Sequence, residues 1–108
     1  LSIQEVRMTI EYGTIEEQID LTERLVLHGK AARNILVHDG GVLVLHGRCK
    51  GDVIVEALGE AYVYGTVEGN VANQDGHVEI YGTVHGTVQA VDQDTTIDDD
   101  ATVEGEVI

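Results

Sequence analysis

The chain has 108 residues, of which 43% are hydrophobic, mostly Val, Ile, Leu and Ala; it contains no Phe, Trp or Pro and only four Tyr. A net charge of −14 excludes a general nucleic-acid binder and a protein that adheres to anionic membranes. One cysteine, Cys49, excludes an internal disulfide framework and suits a reducing, cytoplasmic setting.

Residues 1–8 form a lead-in or cap, and Ile3 and Val6 are its apolar contacts. Thr9, Ile10, Glu11, Tyr12 and Gly13 open the first repeat, which runs to Ile19. Residues 20–24 make a corner. Leu25 to Gly29 begin a second repeat that continues through Val37, and the turn His38, Asp39, Gly40, Gly41 allows left-handed backbone. Val42 to Gly47 begin a third repeat, which extends to Val55. Turns are predicted at 57–60, 73–76 and 92–96, each feeding a further repeat, and Val107 and Ile108 close the sequence inside an apolar strand.

These repeats are copies of one stretch. Val63, Tyr64, Gly65, Thr66, Val67, Glu68, Gly69, Asn70 and Val71 alternate small or apolar residues with polar or bulky ones, the period-2 signature of a half-buried strand. Copies begin at Gly13, Gly29, Gly47, Gly65, Gly82 and Ala101, giving spacings of 16, 18, 18, 17 and 19. A near-constant period of this length predicts a solenoid. The expected fold is all-β: a single-stranded parallel β-helix of about six turns spanning 1–108 as one domain. A right-handed coil is favoured, and the left-handed hexapeptide β-helix is the alternative. Three inward columns are expected. The first holds Ile10, Leu27, Leu45, Val63 and Ile80, and the second Ile15, Cys49, Val67, Val84 and Val103. The third holds Ile19, Ile35, Val53, Val71, Val88 and Val107. A narrow bore filled by β-branched ladders needs no aromatic bulk.

The V-x-G-x-V-x-G-x-V rungs resemble those of the bactofilins, bacterial polymer-forming proteins built on a right-handed parallel β-helix. The likeness covers about residues 9–108 and lies in the rung pattern. It implies a non-catalytic, nucleotide-free scaffold that polymerises end to end. The run from Ala61 to Gly69 is also similar to the C-terminal β-helix of the septum inhibitor of the Min system.

Charge is unevenly placed. Residues 1–50 carry seven acids and six bases, whereas residues 51–108 carry thirteen acids and no Lys or Arg. Arg24, Lys30, Arg33, Arg48 and Lys50 all fall in the second and third repeats, where Lys30, Arg33, Arg48 and Lys50 make a basic cluster that either binds phosphate or an acidic partner or is neutralised by the chain's own acids. The residue before the first Gly position of each repeat is Tyr12, His28, His46, Tyr64, Tyr81 and Asp100, an expected outward column. There His28 and His46 are near enough to share a metal, but two ligands do not make a site, and a stacked aromatic stripe covering one face is the favoured reading. Asp92, Asp94, Asp98, Asp99 and Asp100 crowd the last repeat without the spacing of a calcium loop and read as a solvated acidic face. Cys49 occupies an apolar rung position and reads as a buried structural thiol.

No nucleophile elbow, P-loop, HExxH or paired CxxC occurs. The chain is therefore expected to be no enzyme and to need no cofactor or metal. The leading expectation is a scaffold that self-associates through Val103, Val107, Ile108, Ile3 and Val6, giving a homo-oligomer or polymer. Tyr12, Tyr64, Tyr81, Asp98, Asp99 and Asp100 form a possible partner-binding surface. The alternative is a small acidic inhibitor, an immunity protein or antitoxin, that neutralises a basic toxin such as a nuclease.

Overall fold

The computed structural model describes residues 8–89 and 94–108; the predicted lead-in contacts Ile3 and Val6, and Asp92 of the last turn, lie outside the described residues. The described chain contains no helix. Short strands are stacked into three parallel sheets of six, six and five strands. Sheet I holds Met8–Glu11, Arg24–Leu27, Val42–Leu45, Glu60–Val63, His77–Ile80 and Asp94–Ile97. Sheet II holds the two-residue strands Thr14–Ile15, Lys30–Ala31, Arg48–Cys49, Thr66–Val67, Thr83–Val84 and Thr102–Val103. Sheet III holds Ile19–Leu21, Ile35–Val37, Val53–Val55, Val71–Asn73 and Val88–Gln89. The chain is a β-solenoid of five full turns and the first two strands of a sixth. The third side of that last turn is reduced to one parallel bridge, Val88 to Val107.

Each strand alternates inward and outward side chains, because successive Cβ atoms of a strand point to opposite faces. In the third turn Leu43, Leu45, Cys49, Val53 and Val55 are all fully buried. Burial of each such aliphatic side chain is worth about 1.5–3 kcal/mol relative to its exposure. Buried positions thus recur every second residue within a strand rather than every sixth. The second and third expected columns stand as predicted, with Ala31 completing the second. Two further inward columns begin at Leu25 and Leu21 and run through Leu43, Ala61 and Val78, and through Val37, Val55 and Asn73.

The first column needs a correction. Glu11, not Ile10, pairs with Leu27, and Ile10 pairs with the outward Val26. Ile10 is 48% exposed. The first repeat is two residues shorter than the next, so an alignment by residue type places Ile10 one position out and on the opposite face. Residues 94–96, expected in a turn, belong instead to a strand of sheet I and pair with His77, Val78 and Glu79.

Corners are fixed by specific chemistry. Gly40, Leu58 and Asp75, in successive turns between sheets III and I, have φ of 84°, 65° and 77°, the left-handed region that ordinary residues seldom enter. At the corner between sheets II and III, side-chain oxygens replace backbone acceptors. Asn34 Oδ1 accepts from the Asp52 amide, Asp52 Oδ1 from Asn70 and Asn70 Oδ1 from Thr87, each at 2.8 Å. Each carboxamide or carboxylate therefore ties its own turn to the next. Asn73, only 1% exposed, replaces an aliphatic residue in its column. It is satisfied by the Thr95 hydroxyl at 2.8 Å and by the Gly76 amide at 2.8 Å, which removes the cost of burying a carboxamide.

Candidate functional site

The most organised outer feature lies at the corner between sheets I and II. In the second to fifth turns an inward aliphatic residue of sheet I is followed by an outward ring and then by a glycine; in the first turn Glu11 takes the aliphatic position before Tyr12 and Gly13. From the second turn on the glycine is required sterically: a Cβ on Gly47 would lie 1.8 Å from the Gly29 carbonyl oxygen, and one on Gly65 2.0 Å from that of Gly47. With backbone packed on backbone, the rings preceding the glycines are held one above another at the rung spacing. Tyr12, His28, His46, Tyr64 and Tyr81 form a continuous stack, with centroid separations of 4.8, 4.8, 5.1 and 5.0 Å and interplanar angles of 8°, 7°, 13° and 8°. Stacked pairs of this kind contribute about 0.5–1.5 kcal/mol each beyond their buried area. The Tyr81 hydroxyl donates to Glu79, and this bond pushes the phenol up to about 12.

Asp100 is not the sixth member of this column. Ile80 pairs with Ile97 and Thr83 with Thr102, so the last turn holds two extra residues at this corner. The Asp98 amide donates to the Ile80 carbonyl at 2.9 Å, as Tyr81 does to Val63 at 2.8 Å. Asp99 and Asp100 then bulge outward and are exposed. The Asp100 amide donates to Asp98 Oδ2 at 3.0 Å. The aromatic column therefore ends in an acidic turn on the same edge of the rod.

Beside the rings a groove of about 500 Å³ runs over Gly29, Gly47 and Gly65, with Tyr12, His28 and His46 along one wall and Lys30, Arg48 and Thr66 along the other. Lys30 and Arg48 are direct cross-strand neighbours, an unfavourable juxtaposition of like charges. Arg48 is relieved by Glu68, whose Oε2 lies 2.7 Å from Nη1, and the guanidinium holds the Glu68 carboxyl below its ordinary value. Among the described residues Lys30 has no acidic partner within salt-bridge distance. The His28 and His46 nitrogens lie in parallel ring planes, so their lone pairs cannot converge on one ion. Among the described residues, no group of three or more His, Cys, Asp or Glu is arranged to hold a metal.

The other histidines pair with carboxylates. His38 bridges Asp20, at 2.9 Å, and Glu56, at 2.8 Å. His77 bridges Glu79, at 2.6 Å, and Asp94, at 2.9 Å, and His85 meets Glu104 at 2.8 Å. Cys49 is fully buried, and burial pushes its thiol up to about 11, the condition of an unreactive structural cysteine.

At the far end, the predicted self-association residues lie where the columns lose their cover. Ile97 and Val103 are partly buried against the core, whereas Val107 and Ile108 are 54% and 63% exposed. The structure thus brings Tyr12, Tyr64 and Tyr81 onto one edge with the 98–100 turn, and places Val103, Val107 and Ile108 together at one end. Lys30 and Arg48 of the expected basic cluster stand side by side on one wall of the groove. Sequence reasoning missed the 34/52/70 side-chain ladder, whose signal is that its residues occupy one fixed phase of the repeat.

Fold and surface together define a β-solenoid with an aromatic edge, a class of repeat protein that presents long regular surfaces instead of an enclosed pocket. No family model, curated protein or solved structure matches this chain.

Proposed function

We propose that this protein is a non-catalytic scaffold that assembles by stacking solenoid ends, as the resemblance of its rungs to those of bactofilins implies. The observation that supports this reading is that all three sheets are parallel and that strands of successive turns pair in one register, so that aliphatic columns run from turn to turn. A parallel edge of this kind is a template for another strand, and a turn of a second copy added there uses the register that the chain already uses internally. A head-to-tail contact of this kind does not close, so it builds filaments.

Light scattering across protein concentration, with Val107→Lys/Ile108→Lys as the comparison, tests the proposal. Large assemblies in the parent chain that vanish in the variant are the expected result. A parent chain that stays monomeric at high concentration and low salt overturns it. The exposed acids Asp99, Asp100 and Glu104 favour a second reading, an inhibitor of a basic protein. That reading gains if the monomer instead binds a basic partner with steep salt dependence.

A further inference from the structure

The aromatic edge is self-complementary when one copy is turned end for end. Counting turns along it, Lys30 and His28 stand at the second, His46 and Arg48 at the third, Tyr64 at the fourth, Tyr81 at the fifth, and Asp98, Asp99 and Asp100 at the sixth. A two-fold axis through the fourth turn, perpendicular to the rod, exchanges second with sixth and third with fifth. We propose that two copies pair side by side and antiparallel along this edge, the acidic 98–100 turn of each entering the cationic groove of the other.

Three observations support the pairing. The groove places Lys30 beside Arg48 without enough acid among the described residues to neutralise both, in a chain whose net charge is −14. The 98–100 turn projects from the same edge because of its two extra residues, and Asp99 and Asp100 are exposed. Between these charged contacts lies the aromatic stack, with Tyr64, 48% exposed, on the axis and Tyr81 facing the partner's His46. An aromatic centre between polar contacts is the usual anatomy of a protein interface. The two-fold arrangement makes each charged contact twice and closes on itself. Parallel pairing instead sets Lys30 against Lys30 and the acidic turn against its equal, so like charges oppose it. The pairing uses the side of the rod and is independent of stacking at its ends.

The test uses charge reversal with rescue, followed by sedimentation equilibrium. Lys30→Glu is benign for folding, since it sets opposite charges beside Arg48 in the ladder. Asp99→Lys/Asp100→Lys leaves Asp98, the residue whose side chain bonds within the turn. Each variant alone is expected to dimerise about a hundredfold more weakly than the parent, because like charges then meet at both contacts. An equimolar mixture is expected to recover parental affinity as a heterodimer, since every contact again joins opposite charges. Unchanged dimerisation of either variant, failure of the mixture to recover, or the lack of any dimer in Val107→Lys/Ile108→Lys, whose side edge is intact, overturns the proposal. Loss of filaments with retention of this dimer in that variant supports both contacts, the filament resting on the ends and the dimer on the side edge.

Discussion

His38 shows how a single residue of the repeat becomes a pH-dependent tie. Its ring lies across the rungs between Asp20 and Glu56, and these bonds raise its pKa above the ordinary 6.5, Asp20 contributing most. The folded state binds the proton more tightly than the unfolded chain. The added stability is therefore complete below about pH 6.5 and is lost as pH rises through the raised value. Asp20 is the mirror case: His38 lowers its carboxyl below 3.8, so that contribution holds above about 3.8 and disappears as pH falls through the depressed value. His77, raised first by Glu79 and then by Asp94, acts with the same sign as His38. The urea midpoint of the parent is expected to fall between about pH 6 and pH 8.5, and His38→Gln is expected to flatten that fall without abolishing it. Equal slopes in the two proteins would remove His38 from this role.

Among the elements, the corner glycines divide into those the fold requires and those it tolerates. At Gly65 an added Cβ would lie 2.0 Å from the Gly47 carbonyl oxygen, a backbone atom that cannot move without separating two turns. At Gly13 the nearest atom is a carboxylate oxygen of Glu11 at 3.2 Å, the far end of a flexible side chain. Gly65→Ala is expected to lower the unfolding free energy by about 3 kcal/mol, the upper end for overpacked sites, and Gly13→Ala to change it by less than about 1 kcal/mol. Chemical denaturation of both variants checks this. Similar losses would mean that the corners relax together and that backbone contact does not set the ring spacing. The aromatic ladder depends on this distinction, because the rings stack only where the backbones touch.

At the scale of the molecule, each turn contacts chiefly its neighbours, the Asn73–Thr95 bond from the fourth turn to the sixth reaching one further, so stability is a sum of turns and interfaces rather than one central core. The middle turns have neighbours on both sides and bury Val53 and Val55 completely, whereas the last described turn holds Ile97 and Val103 only partly buried. Hydrogen exchange in dilute solution is expected to be at least about a hundredfold slower at the amides of Val53 and Val55 than at that of Glu104, which donates to the Val84 carbonyl at 2.9 Å and reports opening of the terminal turn alone. Uniform protection would indicate a cooperative unit larger than one turn. At high concentration, end stacking would slow exchange at Val103 selectively, since a second copy would then cover that edge.

The sequence by itself determined the solenoid, its period, most of its inward columns and the outward aromatic line. All of these follow from strict alternation and from repetition at a fixed spacing. It also marked Cys49 as buried, from its place in the phase of Val67 and Val84. It misplaced Ile10 and Asp100, because a repeat whose length varies between 16 and 19 residues can be aligned by type and still be wrong by one or two positions. Only the paired strands show where the extra residues are absorbed. The stacking of His28 and His46, favoured from the sequence, is seen in the structure, but the tertiary structure alone decided that Asn73 has partners inside the core and that Asn34, Asp52 and Asn70 bond turn to turn. It also placed the cationic groove and the acidic turn on one edge. Each of these depends on the contact between residues about 18 positions apart, and local patterning carries no record of the angle at which successive turns meet.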